Sequence, residues 1–505
     1  MNRFSARVFL VFLLLAWMAL FFASSQTREY ALRAFSTADS AYGFYDDFPI
    51  LPDKSLLLFQ VSCLLPICLL LYIRHKAIGA SVKFIATDAA FLIGAIIVVL
   101  YWPAASVLLA GLFLFVYPWT SENVSRNHTY WILATLFLIA LILRLEKIPN
   151  VANSPLQPDA AQYVGLAHST TWLYDTAHRE PFLAWVVRIL AVFFPIPQDY
   201  ATSGYLPLRL FTVYLSAIAA PAIYLVGGYF VSHRAAFLAA LMFAMDKAFI
   251  YRSLQGLRLE LLILGILAVL FLACAPSVGR FSSVWRAIAL GIASGLLLLT
   301  RTACVPFIGF VYLWGLWRRY RTVKYYLIAA VLCCAISAPY FVYCWMEYGD
   351  PLYSGSYHVN KFYYMVVYGT GNPDTSSVPF VTPSHLMFGI YPWYKTMLLT
   401  LEGMADTLFG RYALRLFYLP FSVILIGASL VAYIRWIKDK ERIMLLVSML
   451  LLIGPMAFIL GMLNHSSVVF DWRTIAHPFP LMAYAAAEGL LYLVGKAFSS
   501  TRNAC

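Results

Sequence analysis

Apolar stretches of about 18 residues or more recur along the whole of this 505-residue chain. Each is long enough to cross roughly 30 Å of hydrocarbon as a helix. Lipid offers no partner to a backbone N–H or C=O, so such stretches must satisfy their own hydrogen bonds, which a helix does. No soluble domain of ordinary size fits between them. The charged fraction is 12% against 62% hydrophobic, too little charge to cover a water-facing surface. The expected fold class is an all-α polytopic membrane protein.

About fourteen spans are expected: 8–23, 55–73, 84–101, 103–117, 129–145, 206–231, 234–251, 255–275, 286–301, 303–317, 325–345, 413–434, 443–461 and 475–494. When they alternate, the basic loops from Arg74 to Lys83, Arg280 to Arg286, Arg318 to Lys324 and Arg435 to Arg442 share one side. Arg3, Arg7, Lys496 and Arg502 join them. That side is cytoplasmic by the positive-inside rule. The first apolar run is long for a signal peptide and lacks a good cleavage site, so it reads as an uncleaved span. The net charge of +13 is spread through these short loops as a topology signal, which excludes a nucleic-acid groove. The eight cysteines show no CxxC or Cys/His metal spacing and mostly lie in apolar spans, so they give no disulfide framework.

Three segments on the opposite side, 24–54, 146–205 and 346–412, are too long to be turns, and the acidic residues collect there. Long polar and aromatic loops carry function more often than not, which places the chemistry outside the membrane. Within the second, 180–194 reads as an apolar helix between Pro181 and Pro195, too short to span and suited to the membrane surface.

Ionisable groups at span ends are costly and therefore functional candidates. On this topology Asp159, Arg209, Asp246, Lys247, Arg252, Arg258, Glu260, Arg301 and Arg473 all fall at the external level. The cytoplasmic ends show no comparable mixture of acids and bases. Arginines give forked hydrogen bonds to phosphate, and a carboxylate can take the proton of an attacking hydroxyl. Cationic stabilisation alone can serve a phosphate leaving group. Each residue has a plainer alternative. Asp159 follows Pro158 and suits the first turn of a helix, on which Asp159, Gln162 and Tyr163 would share a face. Glu180, between Arg179 and Pro181, reads as a second catalytic carboxylate or as a helix-start residue. Arg258 and Glu260 are two apart and point to different sides, and one of them can instead bond Asp246 or Arg252. Arg301 and Arg473 bind phosphate or snorkel at the interface. His358 and Lys361 in the third long loop complete the candidates, against a solvated alternative.

From about Thr129 onward, ordered pieces of the chain resemble the GT-C superfamily of membrane glycosyltransferases, in particular the branch of protein O-mannosyltransferases and the lipid A aminoarabinose transferase. The pieces are a span ending in Arg144, the run Pro158-Asp159-Ala160-Ala161-Gln162-Tyr163, then Arg179-Glu180-Pro181-Phe182. Arg234-Ala235-Ala236 through Leu257-Arg258-Leu259-Glu260 follow, then Gly295 to Arg301, Tyr348-Gly349-Asp350-Pro351-Leu352-Tyr353, and Asp471-Trp472-Arg473 before a last span with Pro478 and Pro480. The resemblance implies a GT-C-like core over 129–505 preceded by an added module of about four spans over 1–128. It implies a polyprenyl-phosphate-linked sugar as donor, with Asp159 as the catalytic or acceptor-binding carboxylate. Arg258, Arg301 and Arg473 would hold the lipid-linked phosphate. Where well-known members carry Asp-Glu, Ala160 follows Asp159 here, so neither a second carboxylate nor its metal ligand stands at that position. A divalent metal bridging phosphate and carboxylate is left open, and no other cofactor is implied.

The expectation is therefore an inverting transferase of a multi-pass plasma (inner) membrane protein, its site facing the extracytoplasmic side. The acceptor is a hydroxyl of a glycan, lipid or protein, and membrane lipid is the surrounding partner. The rival reading is a transporter or flippase for a lipid-linked or anionic sugar. Transporters favour midplane sites on broken helices and inverted repeats, and neither is visible in the sequence.

Overall fold

A computed structural model describes residues 126–502, except 153, 170–172, 177–178, 275–282, 319–320, 358–359, 361–390, 411–412, 414–421 and 465–475. The module over 1–128, with its four expected spans, lies almost wholly outside the described residues, and so do His358, Lys361 and Arg473.

The described residues are helical, with no strand among them. The helices of eight residues or more are α1 (Arg126–Leu145), α2 (Pro158–Ser169), α3 (Phe182–Phe193), α4 (Leu206–Phe230), α5 (His233–Met245), α6 (Leu259–Cys274) and α7 (Ser283–Thr300). They continue with α8 (Val305–Trp317), α9 (Val323–Tyr348), α10 (Trp393–Leu408), α11 (Ser422–Lys438), α12 (Ile443–Asn464) and α13 (Phe479–Arg502). Three stretches, Leu206–Phe230, Val323–Tyr348 and Ile443–Met462, are long and apolar enough to cross a membrane unaided. Six more expected spans form shorter apolar helices, and that over 413–434 is a helix over 422–438. Outward faces carry Trp131, Leu138 and Ile142 on α1, Leu327 and Val331 on α9, and Val423 and Ile434 on α11, all exposed. Water does not tolerate so continuous an apolar exterior, and lipid does. The chain is an integral membrane protein.

One expected span ends earlier than its hydropathy allows. The run over 234–251 stops at Met245, because Asp246 adopts an extended conformation and its Oδ1 accepts from the Ala248 N–H at 2.8 Å, capping a new short helix over Lys247–Ser253. After Thr300, extended Arg301 breaks the helix before a single 3-10 turn, Thr302–Cys304, leads into α8.

Close approach in the interior rests on small residues, as lipid-embedded helices require. Ala483, Ala485, Ala486 and Ala487 of α13 are fully buried, and α13 packs on α5 and α11. The closest approach involves α10. The sequence gives the third external segment as loop, yet its residues 393–408 form a helix that lies along α12. A Cβ on Gly403 would stand 1.9 Å from the Ala457 carbonyl oxygen, and one on Gly461 would stand 1.9 Å from that of Leu399.

The helix ends sort into two levels. At one, Arg286 donates to the Phe271 carbonyl at 2.9 Å, and Arg442 pairs with Glu488 at 2.7 Å and with Asp439 at 3.5 Å. Trp436 Nε1 donates to Glu488 at 2.9 Å. Glu488 lies within the last apolar helix, and burial drives it to Arg442 and Trp436, so this end carries a small mixed-charge group of its own. The other level holds the segment over 154–205.

Candidate functional site

Pro158 opens α2, its fixed φ and missing N–H suiting the first helical position. Asp159 follows in the first turn, and the 3.6-residue period sets Gln162 and Tyr163 on the same face. All three meet one side chain, Arg179. Its Nη2 donates to Asp159 Oδ1 at 2.5 Å, its Nε to Gln162 Oε1 at 2.9 Å, and its guanidinium lies 5.7 Å from the centre of the Tyr163 ring.

The loop carrying Arg179 is moored to α9. Tyr340 donates to the Arg179 carbonyl at 3.2 Å, Tyr343 to Asp175 Oδ1 at 2.7 Å, and Tyr174 to the Ile336 carbonyl at 3.4 Å. From within the loop, Thr176 Oγ1 also donates to the Arg179 carbonyl, at 2.5 Å. Glu180 is the next residue. Its Oε2 accepts from Arg258, and its Oε1 from the Thr302 N–H at 3.3 Å. Arg258 also donates to the Thr300 carbonyl at 3.0 Å. Gly256, at φ +70°, makes the turn that presents Arg258 just before α6. Arg301, almost fully buried between α7 and the 3-10 turn, has Arg258, Glu180 and Tyr163 as electrostatic neighbours.

Six side chains therefore meet at one end of the bundle: Asp159, Tyr163, Arg179, Glu180, Arg258 and Arg301. They come from α2, the loop before α3, and the junctions before α6 and after α7. The two carboxylates differ in state. The Glu180 side chain is 3% exposed with both oxygens bonded, whereas Asp159 keeps 30% of its side chain exposed. Only Asp159 can face an incoming molecule without first losing its neighbours. Burial alone would lower the pKa of Arg258, but the attraction of Glu180 outweighs it and holds the group above its ordinary value. Burial likewise raises the Tyr163 phenol, with Arg258 pulling it partly back.

Two candidates point elsewhere. Glu260 is buried inside the bundle, and its charged neighbour is Arg144. Arg144, fully buried, donates to Ser216 Oγ at 2.8 Å and to the carbonyls of Ala140 and Ala244 at 2.9 and 3.0 Å. Residues two apart on a helix diverge, so Arg258 turns to the site and Glu260 to the core. Arg252 donates to Gln255 Oε1 at 2.7 Å, a contact within its own turn. Arg209, part of the external charge set, donates to the Ser154 and Pro155 carbonyls, each at 2.8 Å, and so ties down the loop before α2. The sequence does not single out Arg179, whose one local signal is its adjacency to Glu180.

Among the described residues, no three His, Cys, Asp or Glu side chains gather as a metal would need. Asp159 and Glu180 each already hold a guanidinium. This donor set fits an anion better than a divalent cation.

No protein-family model and no curated protein matches the chain. Two solved structures are similar to it. The archaeal oligosaccharyltransferase AglB from Archaeoglobus fulgidus, in complex with an inhibitory peptide and a dolichol-phosphate, has a TM-score of 0.44 and 18% identity, over 75% of this chain and 52% of its own. The apo oligosaccharyltransferase of Archaeoglobus fulgidus has a TM-score of 0.44 and 16% identity, over 76% and 53%. The chain thus spans about half the length of these structures. Likeness at this level decides neither family nor activity.

Proposed function

We propose that this chain is an integral membrane glycosyltransferase that moves a sugar from a polyprenyl-phosphate-linked donor to a hydroxyl acceptor at the extracytoplasmic face. The observation that carries the reading is the convergence just described: one accessible carboxylate beside several guanidinium groups, delivered by separate elements to one end of an apolar bundle. Catalysis needs a base near the attacking hydroxyl and positive charge near the leaving phosphate, and this cluster holds both.

The donor's lipid tail lies between helices and its phosphate rests against Arg258 and Arg301, with Arg473 as a third contact from outside the described residues. The acceptor oxygen attacks the anomeric carbon as its proton passes to Asp159. The bond from that carbon to the phosphate oxygen breaks with its electron pair, releasing polyprenyl phosphate and inverting the anomeric centre. Glu180 holds Arg258 in place; its buried, doubly bonded carboxylate makes it a positioning residue.

The test is incubation of purified protein with a panel of polyprenyl-phosphate sugars, following released polyprenyl phosphate. Release that Asp159→Asn abolishes is the expected result. Flux of an intact lipid-linked sugar across sealed vesicles, without chemical change, would replace this reading with a transporter.

A further inference from the structure

One polar group in the cluster is buried without a partner, and beside it a buried guanidinium has a like charge as its leading charged neighbour. The Tyr163 side chain is 1% exposed, and its hydroxyl makes no hydrogen bond. Arg301 is 7% exposed and forms no ion pair with any acid among the described residues; its leading charged neighbour is another cation, Arg258. A buried hydroxyl without a bond is destabilising, and a buried guanidinium facing a like charge is more so. One occupant relieves both costs: an anion that accepts from the phenol and sits against the two guanidinium groups.

Packing sets the Tyr163 ring within the charged cluster. The Tyr163 ring shares a buried cluster with Leu183 of α3 and with Leu257, which immediately precedes Arg258. Arg179 covers one face of the ring. Arg258, Glu180, Arg179 and Asp159 are its charged neighbours, and Arg301 has Tyr163 among its own.

We infer that the Tyr163 hydroxyl, together with Arg301, hydrogen-bonds the phosphate of the lipid-linked substrate and stabilises it as it becomes the leaving group. The inference rests on the proposed transferase reading. As the bond from the anomeric carbon to the phosphate oxygen breaks, its electron pair remains on the phosphate, which passes from one negative charge to two. The acceptor's proton goes to Asp159, and Tyr163 keeps its own, as its burial favours. A hydrogen bond that strengthens while charge accumulates accelerates the step beyond merely binding the substrate.

Tyr163→Phe tests this sharply, because it removes only an atom that has no partner in the protein. Its melting temperature in detergent is expected to equal or exceed that of the wild type. Its kcat for transfer falls about tenfold to a hundredfold, the loss expected for a hydrogen bond to a charged group. Affinity for farnesyl phosphate falls similarly, whereas affinity for farnesol is unchanged. Wild-type transfer and farnesyl phosphate binding in Tyr163→Phe would overturn the inference, leaving the transferase reading intact. A lower melting temperature would also overturn it, since the hydroxyl would then be bonded within the protein. If the wild type binds farnesyl phosphate but transfers no sugar from any donor, the transferase reading falls. Loss of that binding in Tyr163→Phe would still support the anion site.

Discussion

Asp159 and Glu180 are both carboxylates paired with arginine, yet they have different fates on mutation. Asp159→Asn keeps the size of a part-exposed side chain and its hydrogen-bonding oxygen but removes the counter-charge of buried Arg179, so the melting temperature falls while folding and membrane insertion survive and transfer is lost; sugar-transfer assays beside a melting curve check this. Glu180→Gln leaves Arg258 largely buried without its counter-charge, and removing one partner of such a pair costs about 3 kcal/mol, the low end of the usual range because Arg258 keeps some exposure. Denaturant titration in detergent measures it. Arg179→Lys keeps the charge but loses the fork that grips Asp159 and Gln162. A carboxylate loosened by about 1 Å reduces kcat on the order of a hundredfold, with the KM for donor little changed. A rise in that KM with kcat intact would contradict the role. At this scale the face of Asp159, Gln162 and Tyr163 was legible from helical spacing, as was the divergence of Arg258 from Glu260. Arg179 was not, because its partner Asp159 lies twenty residues back across a loop, a separation no local pattern encodes.

Hydropathy located helices well and their ends less well. It carried the span over 234–251 through Asp246, where one carboxylate caps a new turn and ends the old helix. It also read 393–408 as loop, because Thr396, Thr400, Glu402, Asp406 and Thr407 dilute its apolar content. Packing decides that element: Gly403 and Gly461 let α10 and α12 approach at backbone contact. Gly461→Leu therefore forces the helices apart, destabilising the protein by about 1–3 kcal/mol as overpacking does. A lowered melting temperature checks it, and an unchanged one would mean α10 is not docked there. The short helix over 182–193, by contrast, was legible, because Pro181 and Pro195 bound an apolar run too short to span.

Across the described residues, the candidate cluster lies at one level of helix ends, and Arg286, Asp439 and Arg442 lie at the other. The sequence likewise sets Asp159, Arg258 and Arg301 at a common level. The Arg442–Glu488 pair was not legible, since a glutamate within an apolar run does not name its partner. In the oriented protein, His168→Cys at an exposed position of α2 is labelled by an impermeant maleimide added outside intact cells, whereas Lys440→Cys is labelled only after permeabilisation. The reverse pattern would invert the topology. The most direct measurement is release of polyprenyl phosphate by purified protein given a polyprenyl-phosphate sugar and a hydroxyl acceptor. Stoichiometric release with sugar appearing on the acceptor, abolished in Asp159→Asn, is the predicted result. Equal release by wild type and Asp159→Asn, or none from any donor, would contradict the account.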